Sequence, residues 1–186
     1  MYSGENHLHF VYTPKEAMVL IKSHNQFWVS NCGCREQRGF CTRSRTNLCL
    51  MFYGGPDASG SGKKEITYLE VEEILKEARD KHLVARPFRD FEKKKRVEGI
   101  CFCCDDCCGY FLDKSEVCDK GDYVEKTFME ECTHCGICAE VCYFEGRKMV
   151  GGTLLLTREN CYGCGLCREI CPEDCIVMMP RSLELV

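Results

Sequence analysis

Two cysteine runs in the last third of the chain have the type and spacing of metal ligands. Residues 132–142 read CTHCGICAEVC and residues 161–171 read CYGCGLCREIC, so the pattern C-x2-C-x2-C-x3-C occurs twice, 29 residues apart. Three cysteines at two-residue gaps wrap a turn of backbone around one metal centre and direct three thiolates inward. Paired zinc sites rarely show this triple spacing. The runs therefore favour iron–sulfur clusters over zinc.

The doubled run, which ends in Cys171-Pro172, resembles the 2[4Fe-4S] domain of bacterial-type ferredoxins over residues 127–180. In that family the remote cysteine of each run serves the other cluster. The resemblance implies two [4Fe-4S] clusters with these ligands: Cys132, Cys135, Cys138 and Cys171 for cluster I, and Cys161, Cys164, Cys167 and Cys142 for cluster II. Tyr143 stands where the family usually has proline, and an aromatic ring there would alter solvent access and reduction potential.

Nine further cysteines form two upstream groups. Their members are Cys32, Cys34, Cys41 and Cys49 in the first group, and Cys101, Cys103, Cys104, Cys107 and Cys108 in the second. The first group carries four arginines against one glutamate, and this local positive charge would lower thiolate pKa values and offset the charge of a thiolate-bound cluster. We expect the two groups to fold against each other around at least one further metal centre.

The residues alone leave the identity of that centre open among a third iron–sulfur cluster, structural zinc and a dithiol redox pair. Adjacent cysteines cannot easily face one small site. The pairs 103–104 and 107–108 therefore indicate either two centres or thiols left over for redox chemistry. We expect Cys118 and Cys175 to be packing residues. His134 is expected at the surface, where it would tune the cluster potential without acting as a ligand.

The cysteine content also bears on the compartment. Cysteine supplies 19 of 186 residues, an odd count that excludes complete disulfide pairing within one chain. Residues 1–13 show no signal-peptide pattern, and the longest clean apolar stretch, residues 17–21, is far shorter than the roughly 20 residues of a membrane helix. We therefore expect a cytoplasmic protein without membrane insertion, in which reduced thiols bind metal.

Charge is distributed unevenly along the chain. Residues 1–122 hold 19 basic and 19 acidic side chains, whereas residues 123–186 hold 6 basic and 10 acidic ones. An acidic C-terminal third argues against nucleic-acid binding and for docking onto a basic surface of redox partner proteins. The basic run at residues 93–96 is flanked by glutamates, so we interpret it as a solvated face.

Patterns around the cysteines predict the elements that must position them. A capping-box pattern opens a helix over residues 67–82, and a second helix is expected over residues 14–23 with proline in its first turn. Residues 149–156 predict a hairpin through a Gly-Gly turn, and residues 176–179 predict a short strand.

The predicted fold class is α+β. Residues 123–186 are expected to form a pseudo-two-fold ferredoxin domain of short β-hairpins and helices, because the cysteine motif is an internal repeat. Residues 1–122 are expected to form a small cysteine-rich, metal-binding α+β domain with two or three helices over a short sheet.

The order of motifs along the whole chain is similar to a family of cysteine-rich 4Fe-4S dicluster proteins of anaerobic archaea and bacteria. The matching features are Cys32-Gly33-Cys34-Arg35, a helix ending in Leu83-Val84, and the CFCCDDCC element at residues 101–108, all before the two ferredoxin motifs. This resemblance implies an electron carrier, or an electron-transfer subunit, that passes single electrons between partner oxidoreductases.

Two alternatives to an electron carrier remain, so whether the chain is an enzyme stays open. Cys107-Cys108-Gly109 resembles the CCG element of heterodisulfide reductase subunits, which would make the upstream cysteines the site of disulfide chemistry. A redox sensor that rearranges on cluster loss is the third class. The sequence contains no nucleophile triad, phosphate loop or nicotinamide fingerprint, which disfavours hydrolases, kinases and Rossmann dehydrogenases.

Overall fold

The computed structural model describes residues 7–55, 58, 60–90, 96–112 and 118–183, which form a mixed α+β structure. The strands are β1 (His7–Phe10), β2 (Phe27–Asn31), β3 (Asn47–Met51), β4 (Ser61–Ile66), β5 (Val84–Asp90), β6 (Val97–Cys103), β7 (Cys118–Asp119), β8 (Tyr123–Thr127), β9 (Arg147–Val150), β10 (Thr153–Leu156) and β11 (Ile176–Pro180). The helices are α1 (Pro14–Lys22), α2 (Gly33–Arg38), α3 (Tyr68–Asp80), α4 (Gly109–Leu112), α5 (Ile137–Glu140) and α6 (Leu166–Ile170). Residues 93–95 of the basic run lie outside the described residues.

A seven-stranded sheet organises the N-terminal part of the chain. Its strand order is β4-β2-β3-β6-β5-β1-β7, and the neighbouring strands are antiparallel except β1 and β7. The prediction of a short sheet is wrong, because segments that contain the upstream cysteines are themselves strands of this sheet. Cys49 lies in β3, and Cys101 and Cys103 lie in β6. The pairing of β3 with β6 brings the two upstream cysteine groups together, as expected.

Helices α1 and α3 confirm the two helices predicted from the sequence. Each begins at a capping box, in which a threonine hydroxyl accepts the amide N–H of the glutamate three residues later and that carboxylate accepts the threonine N–H. The apolar faces of both helices join the core that covers the sheet, through the residues Ala17, Ile21, Val71, Ile74 and Ala78. The two helices therefore pack against the sheet that contains Cys49, Cys101 and Cys103 and stabilise it.

Two small sheets make up the strands of the C-terminal part. Strands β9 and β10 form the predicted hairpin, and its turn residues Gly151 and Gly152 have φ of +56° and +81°, which favours glycine. Strand β11, also predicted, pairs antiparallel with β8. Helices α5 and α6 contact each other and begin within the two cysteine runs.

A second apolar cluster joins the N-terminal sheet to the C-terminal helices. It contains Val11 and Val84 from the first part, and Val141, Phe144 and Leu166 from the second. Since these side chains bury one another, the two cysteine-rich regions lie against a shared apolar layer. Among the described residues, we find no helix with the length and apolar character needed to cross a membrane.

Two substitutions on α3 test whether its buried face stabilises the sheet. Ile74 is 2% exposed, whereas Leu69 on the same helix is 71% exposed. We expect Ile74→Ala to lower the free energy of unfolding by about 2–5 kcal/mol, because it removes buried carbon and leaves a cavity. Leu69→Ala should change it by less than about 0.5 kcal/mol. Anaerobic denaturant titration measures both, and equal effects would contradict this packing.

Candidate metal centres

Five cysteines line a cavity in the C-terminal part. The first run contributes three and the second contributes its remote cysteine, and Cys175, which the sequence analysis expected to pack, is the fifth: Cys132, Cys135, Cys138, Cys171 and Cys175. The empty space among these and the neighbouring residues is about 310 Å³, solvent at its mouth included. Cys135 is exposed and Cys138 is buried, so one side of this cavity faces solvent. We name it cavity I.

A second cavity repeats this arrangement with the roles of the two runs exchanged. Its cysteines are Cys161, Cys164 and Cys167 from the second run and Cys142 from the first. The empty space is about 370 Å³, and Phe144 and Tyr162 form part of its wall. Burial raises the pKa of the Cys164 thiol and raises that of Cys167 to about 12. We name it cavity II.

The loops that carry these cysteines depend on left-handed backbone conformations. Gly163 has φ of +82°, and a β-carbon there would lie 2.2 Å from the carbonyl oxygen of Tyr123, so only glycine fits. His134 occupies the matching position of the first run with φ of +54°. Its Nδ1 accepts a hydrogen bond from the amide of Leu154 at 3.1 Å. His134 therefore anchors the β9–β10 hairpin, a role that the sequence did not indicate.

Arg147 connects the two cavities. It is 3% exposed, lines cavity II, and donates from a guanidinium nitrogen to the sulfur of Cys138 in cavity I at 3.3 Å. It also forms a buried ion pair with Glu125 and donates to the Thr127 hydroxyl at 2.7 Å. Burial opposes its charge, but Cys167, Glu125 and Cys138 raise its pKa, so it stays cationic. No cysteine spacing could have indicated this arginine.

Six of the upstream cysteines lie close enough to shift one another's pKa, and we call this set the six-cysteine ring. In the order in which neighbours influence each other, the members are Cys32, Cys34, Cys108, Cys103, Cys101 and Cys49, and Cys49 in turn influences Cys32. The sulfurs of Cys49 and Cys101 lie 3.8 Å apart. Strands β3 and β6 and the start of α2 supply five members, and the turn before α4 supplies Cys108.

The other three upstream cysteines form a separate, tighter group, which we call the cysteine trio. The sulfur of Cys104 lies 3.6 Å from that of Cys41 and 3.4 Å from that of Cys107. All three sulfurs lie within 4.8 Å of one another, close enough to ligate one metal ion. Contact with Cys107, assisted by Arg35, lowers the pKa of Cys104 to about 5. Cysteines that are adjacent in the sequence thus lie in different groups, which fits either of the two expectations, two centres or thiols left over for redox chemistry.

Two buried arginines lie against these thiol groups, where their positive charge would offset the negative charge of thiolates. Arg35, 1% exposed, approaches the sulfur of Cys104 at 3.9 Å and donates to the carbonyl oxygen of Phe102 at 3.0 Å. Arg86, which is fully buried, donates to the sulfur of Cys108 at 3.0 Å and to that of Cys103 at 3.7 Å. Of the four arginines in the first group only Arg35 contacts a thiol here. Arg86 lies in β5, outside every cysteine motif, so motif spacing does not indicate its role.

An aromatic layer separates the upstream groups from cavity II. The Arg86 guanidinium lies 4.9 Å from the ring centre of Tyr110. The ring centre of Tyr110 lies 5.9 Å from that of Tyr162, which lines cavity II. Tyr143, which follows the cavity II residue Cys142, lies 5.2 Å beneath the Arg43 guanidinium. Burial raises the pKa of Tyr143 to about 12, so its phenol stays neutral. The aromatic residue that departs from the ferredoxin pattern therefore packs between the two regions.

The two cysteines expected to pack are both buried. Cys175 is 1% exposed, and its sulfur lies 3.6 Å from that of Cys171 in the wall of cavity I. Cys118 is 8% exposed and lies in β7, paired with His9 of β1. Its position within the second apolar cluster makes it a suitable control for cysteine substitutions.

Removing Arg147 tests its electrostatic role. Arg147→Met leaves the buried Glu125 carboxylate with only the half-exposed Arg158, 3.5 Å away, as its cation. We therefore expect a loss of stability somewhat below the about 3–5 kcal/mol of a fully broken buried pair. Arg147→Met combined with Glu125→Gln should recover most of that loss, because the poorly compensated buried charge is removed. Anaerobic thermal unfolding measures both. A double variant no more stable than the single variant would contradict the buried-pair account.

No family model matches this chain, and no curated protein matches it either. The residues and their geometry must therefore carry the functional argument. They establish a cysteine-rich α+β chain with a candidate metal-binding cysteine group at Cys41, Cys104 and Cys107.

Proposed function

We propose that this chain is an iron–sulfur electron-transfer protein that passes single electrons between partner oxidoreductases through two [4Fe-4S] clusters and a third centre upstream. The observation that carries the proposal is the pair of C-terminal cavities. The lining of each includes three cysteines of one run and the remote cysteine of the other, which is the ligand exchange expected of two such clusters, and cavity I has Cys175 in addition. We assign cluster I to cavity I and cluster II to cavity II.

The internal repeat of elements supports a pseudo-two-fold ferredoxin arrangement. An offset of 29 residues relates β9 to residues 176–179 of β11, and residues 124–127 of β8 to β10. The pairing follows the same offset, since Arg147 pairs with Leu156 in one sheet and Ile176 with Thr127 in the other. Each half therefore repeats one unit of strand, cysteine loop, short helix and strand.

Backbone conformation repeats with the same offset. Gly136 and Gly165 both have positive φ and both cap the start of a short helix, α5 or α6. Glu145 and Asp174, each three residues after a remote cysteine, also have positive φ, at +59° and +49°. Matching loops of this kind would aim backbone N–H groups and thiolates at a cluster in the same way in both halves.

The six-cysteine ring suits a third iron–sulfur centre. Its six thiols exceed the four ligands that one tetrahedral ion takes, so a polynuclear centre suits the set better than a single ion. Arg86 donates to two of its sulfurs from a fully buried position and would offset part of the negative charge of a thiolate-bound cluster. We therefore assign this centre to the ring.

A route for electrons between the centres follows from the contacts. Arg147 touches the sulfur of Cys138 in cavity I and lines cavity II, so clusters I and II would be neighbours. From the ring, Arg86 leads through Tyr110 to Tyr162 in the wall of cavity II. Three centres linked in this way would form a chain of electron carriers. A partner would approach cluster I at Cys135, which is exposed.

Partner docking and compartment complete the proposal. The C-terminal residues 123–186 carry 6 basic and 10 acidic side chains, and bound clusters would add further negative charge. We infer docking onto basic surfaces of redox proteins, without nucleic-acid binding, in the reducing cytoplasm of an anaerobe. The boundary near residue 122 between a cysteine-rich domain and a ferredoxin domain remains part of this proposal.

The disulfide-reductase alternative finds no support in the geometry of its motif. That hypothesis needs Cys107 and Cys108 to serve one reactive centre. Cys107 belongs to the cysteine trio, whereas Cys108 interacts with Cys34 and Cys103 in the six-cysteine ring. We therefore propose an electron carrier or electron-transfer subunit without a substrate site at this motif.

Iron and acid-labile sulfide per chain test the cluster assignment. Two [4Fe-4S] clusters contain 8 iron and 8 sulfide by formula, and a third iron–sulfur centre raises both counts. Cys138→Ser and Cys167→Ser should each lose the iron of one cluster, because each removes one ligand from a different cavity. Cys118→Ser should keep the full count. Iron counts unaffected by Cys138→Ser and Cys167→Ser would refute the assignment of clusters to the two cavities.

Ionic strength tests the docking of a basic partner. We expect the second-order rate of electron transfer to a basic cytochrome to fall about tenfold or more as added salt shortens the Debye length from about 30 Å to about 3 Å. The rate to a neutral flavin should change little over the same range. Stopped-flow mixing of the reduced protein with each acceptor measures both rates. Equal salt dependence for the two acceptors would argue against charge-guided docking.

A further inference from the structure

The cysteine trio has the dimensions of a site for one ion. The sulfur of Cys104 lies 3.6 Å from that of Cys41 and 3.4 Å from that of Cys107. A tetrahedral zinc ion with Zn–S bonds of about 2.3 Å holds its sulfurs about 3.8 Å apart. The three thiols therefore stand close to the spacing that the ion imposes, and small adjustments of the side chains would complete it.

The other cysteine sets have different dimensions. Within the described residues, the trio is the one set of three histidine, cysteine, aspartate or glutamate side chains whose ligand atoms all lie within 4.8 Å of one another. The cysteines of cavities I and II, all of which the structure describes, form no such set, so no three of their sulfurs stand as close together. A single ion and a polynuclear cluster need different ligand spacings, and the trio has the spacing of a single ion.

Contacts outside the sulfurs hold the trio in place. Cys104 and Cys107 lie in one turn between β6 and α4, and Cys41 comes from the segment after α2. The amide of Thr42 donates to the Asp106 carboxylate at 2.8 Å, and Arg43 donates to both carboxylate oxygens of Asp105 at 2.5 and 2.9 Å. These two anchors fix the Cys41 segment over the turn that carries the other two thiols.

Charge and coordination number point to the kind of ion. Three thiolates around a divalent cation carry a net charge of −1, and the buried Arg35 beside Cys104 would offset it. Thiolate ligands select thiophilic ions such as zinc over calcium or magnesium. Since the trio offers three ligands, the fourth position of a tetrahedral ion is left for a water molecule.

We propose that Cys41, Cys104 and Cys107 bind one zinc ion through three thiolates, with water in the fourth position, in a site separate from the six-cysteine ring. Binding requires no oxidant or reductant, because the thiols only release their protons as the ion enters. The site goes beyond the proposed electron transfer and does not depend on it, since its metal content is counted separately from iron.

Zinc and iron contents of anaerobically purified protein and its variants test the site. We expect about one zinc per chain by formula, falling at least tenfold in Cys41→Ser and in Cys107→Ser while iron stays unchanged. Cys49→Ser, in the ring, should lower iron and leave zinc at one. Cys118→Ser should leave both counts unchanged, which controls for the loss of a buried thiol.

Cobalt substitution gives a second readout that does not depend on purification history. When Co²⁺ replaces zinc, the wild-type protein should gain the visible absorption of a tetrahedral ion with thiolate ligands, and Cys41→Ser should lose it. Because Cys41 is only partly buried in a surface segment, this substitution should preserve the fold, as circular dichroism would verify.

Several results would overturn the zinc site. One is a zinc content below one tenth per chain in wild-type protein that holds its full iron. Another is zinc that persists in Cys41→Ser and disappears in Cys171→Ser, which would place the ion in cavity I. A loss of iron in Cys41→Ser would assign the trio to an iron–sulfur centre. Failure of the electron-transfer proposal would instead appear as missing iron and sulfide.

Discussion

Close packing of thiol side chains is the constraint on which the rest of this structure depends. Neighbouring sulfurs approach within 3.4–3.8 Å in the trio and the ring, and a thiolate at that distance from another repels it strongly. The pKa of Cys108 is raised by its contacts with Cys103 and Cys34, and that of Cys107 by its contact with Cys104. Such groups would ionise together only with a cation among them, so we expect metal binding and folding to be coupled.

Buried arginines offset this charge where the fold cannot expose it. Arg35 serves the trio, Arg86 serves the ring, and Arg147 serves cavity I. Each lies on a different element, and each is at most 3% exposed. A buried guanidinium that donates to a sulfur favours the more negative state of a bound cluster, so Arg86 and Arg147 would set the relative potentials of the proposed clusters. Arg35 would instead offset the charge of the proposed zinc site.

Local signals predicted several elements correctly. The β9–β10 hairpin was predicted from its Gly-Gly turn, helix α3 from a capping-box pattern and helix α1 from proline in its first turn. The cysteines that line each cavity include those that the ferredoxin resemblance grouped together, and their binding of clusters stays a prediction.

The upstream region was harder to predict, because its organisation depends on contacts between distant segments. Cys49 and Cys101 meet because β3 and β6 pair, and nothing in either cysteine spacing indicates a seven-stranded sheet. Arg86 reaches Cys108 from β5, so its role depends on tertiary packing. In the division of nine cysteines into a ring and a trio, Cys103 and Cys104 fall in different groups, and so do Cys107 and Cys108. The sequence left open whether such adjacent pairs serve two centres or leave thiols over for redox chemistry.

Anomalous diffraction from crystals grown without oxygen would test the central claim most directly, because it locates each metal by element. Data collected on either side of the iron and zinc absorption edges should place iron in cavity I, in cavity II and within the six-cysteine ring. The zinc signal should lie only among Cys41, Cys104 and Cys107. Cavities without iron, or zinc within either of them, would contradict the account.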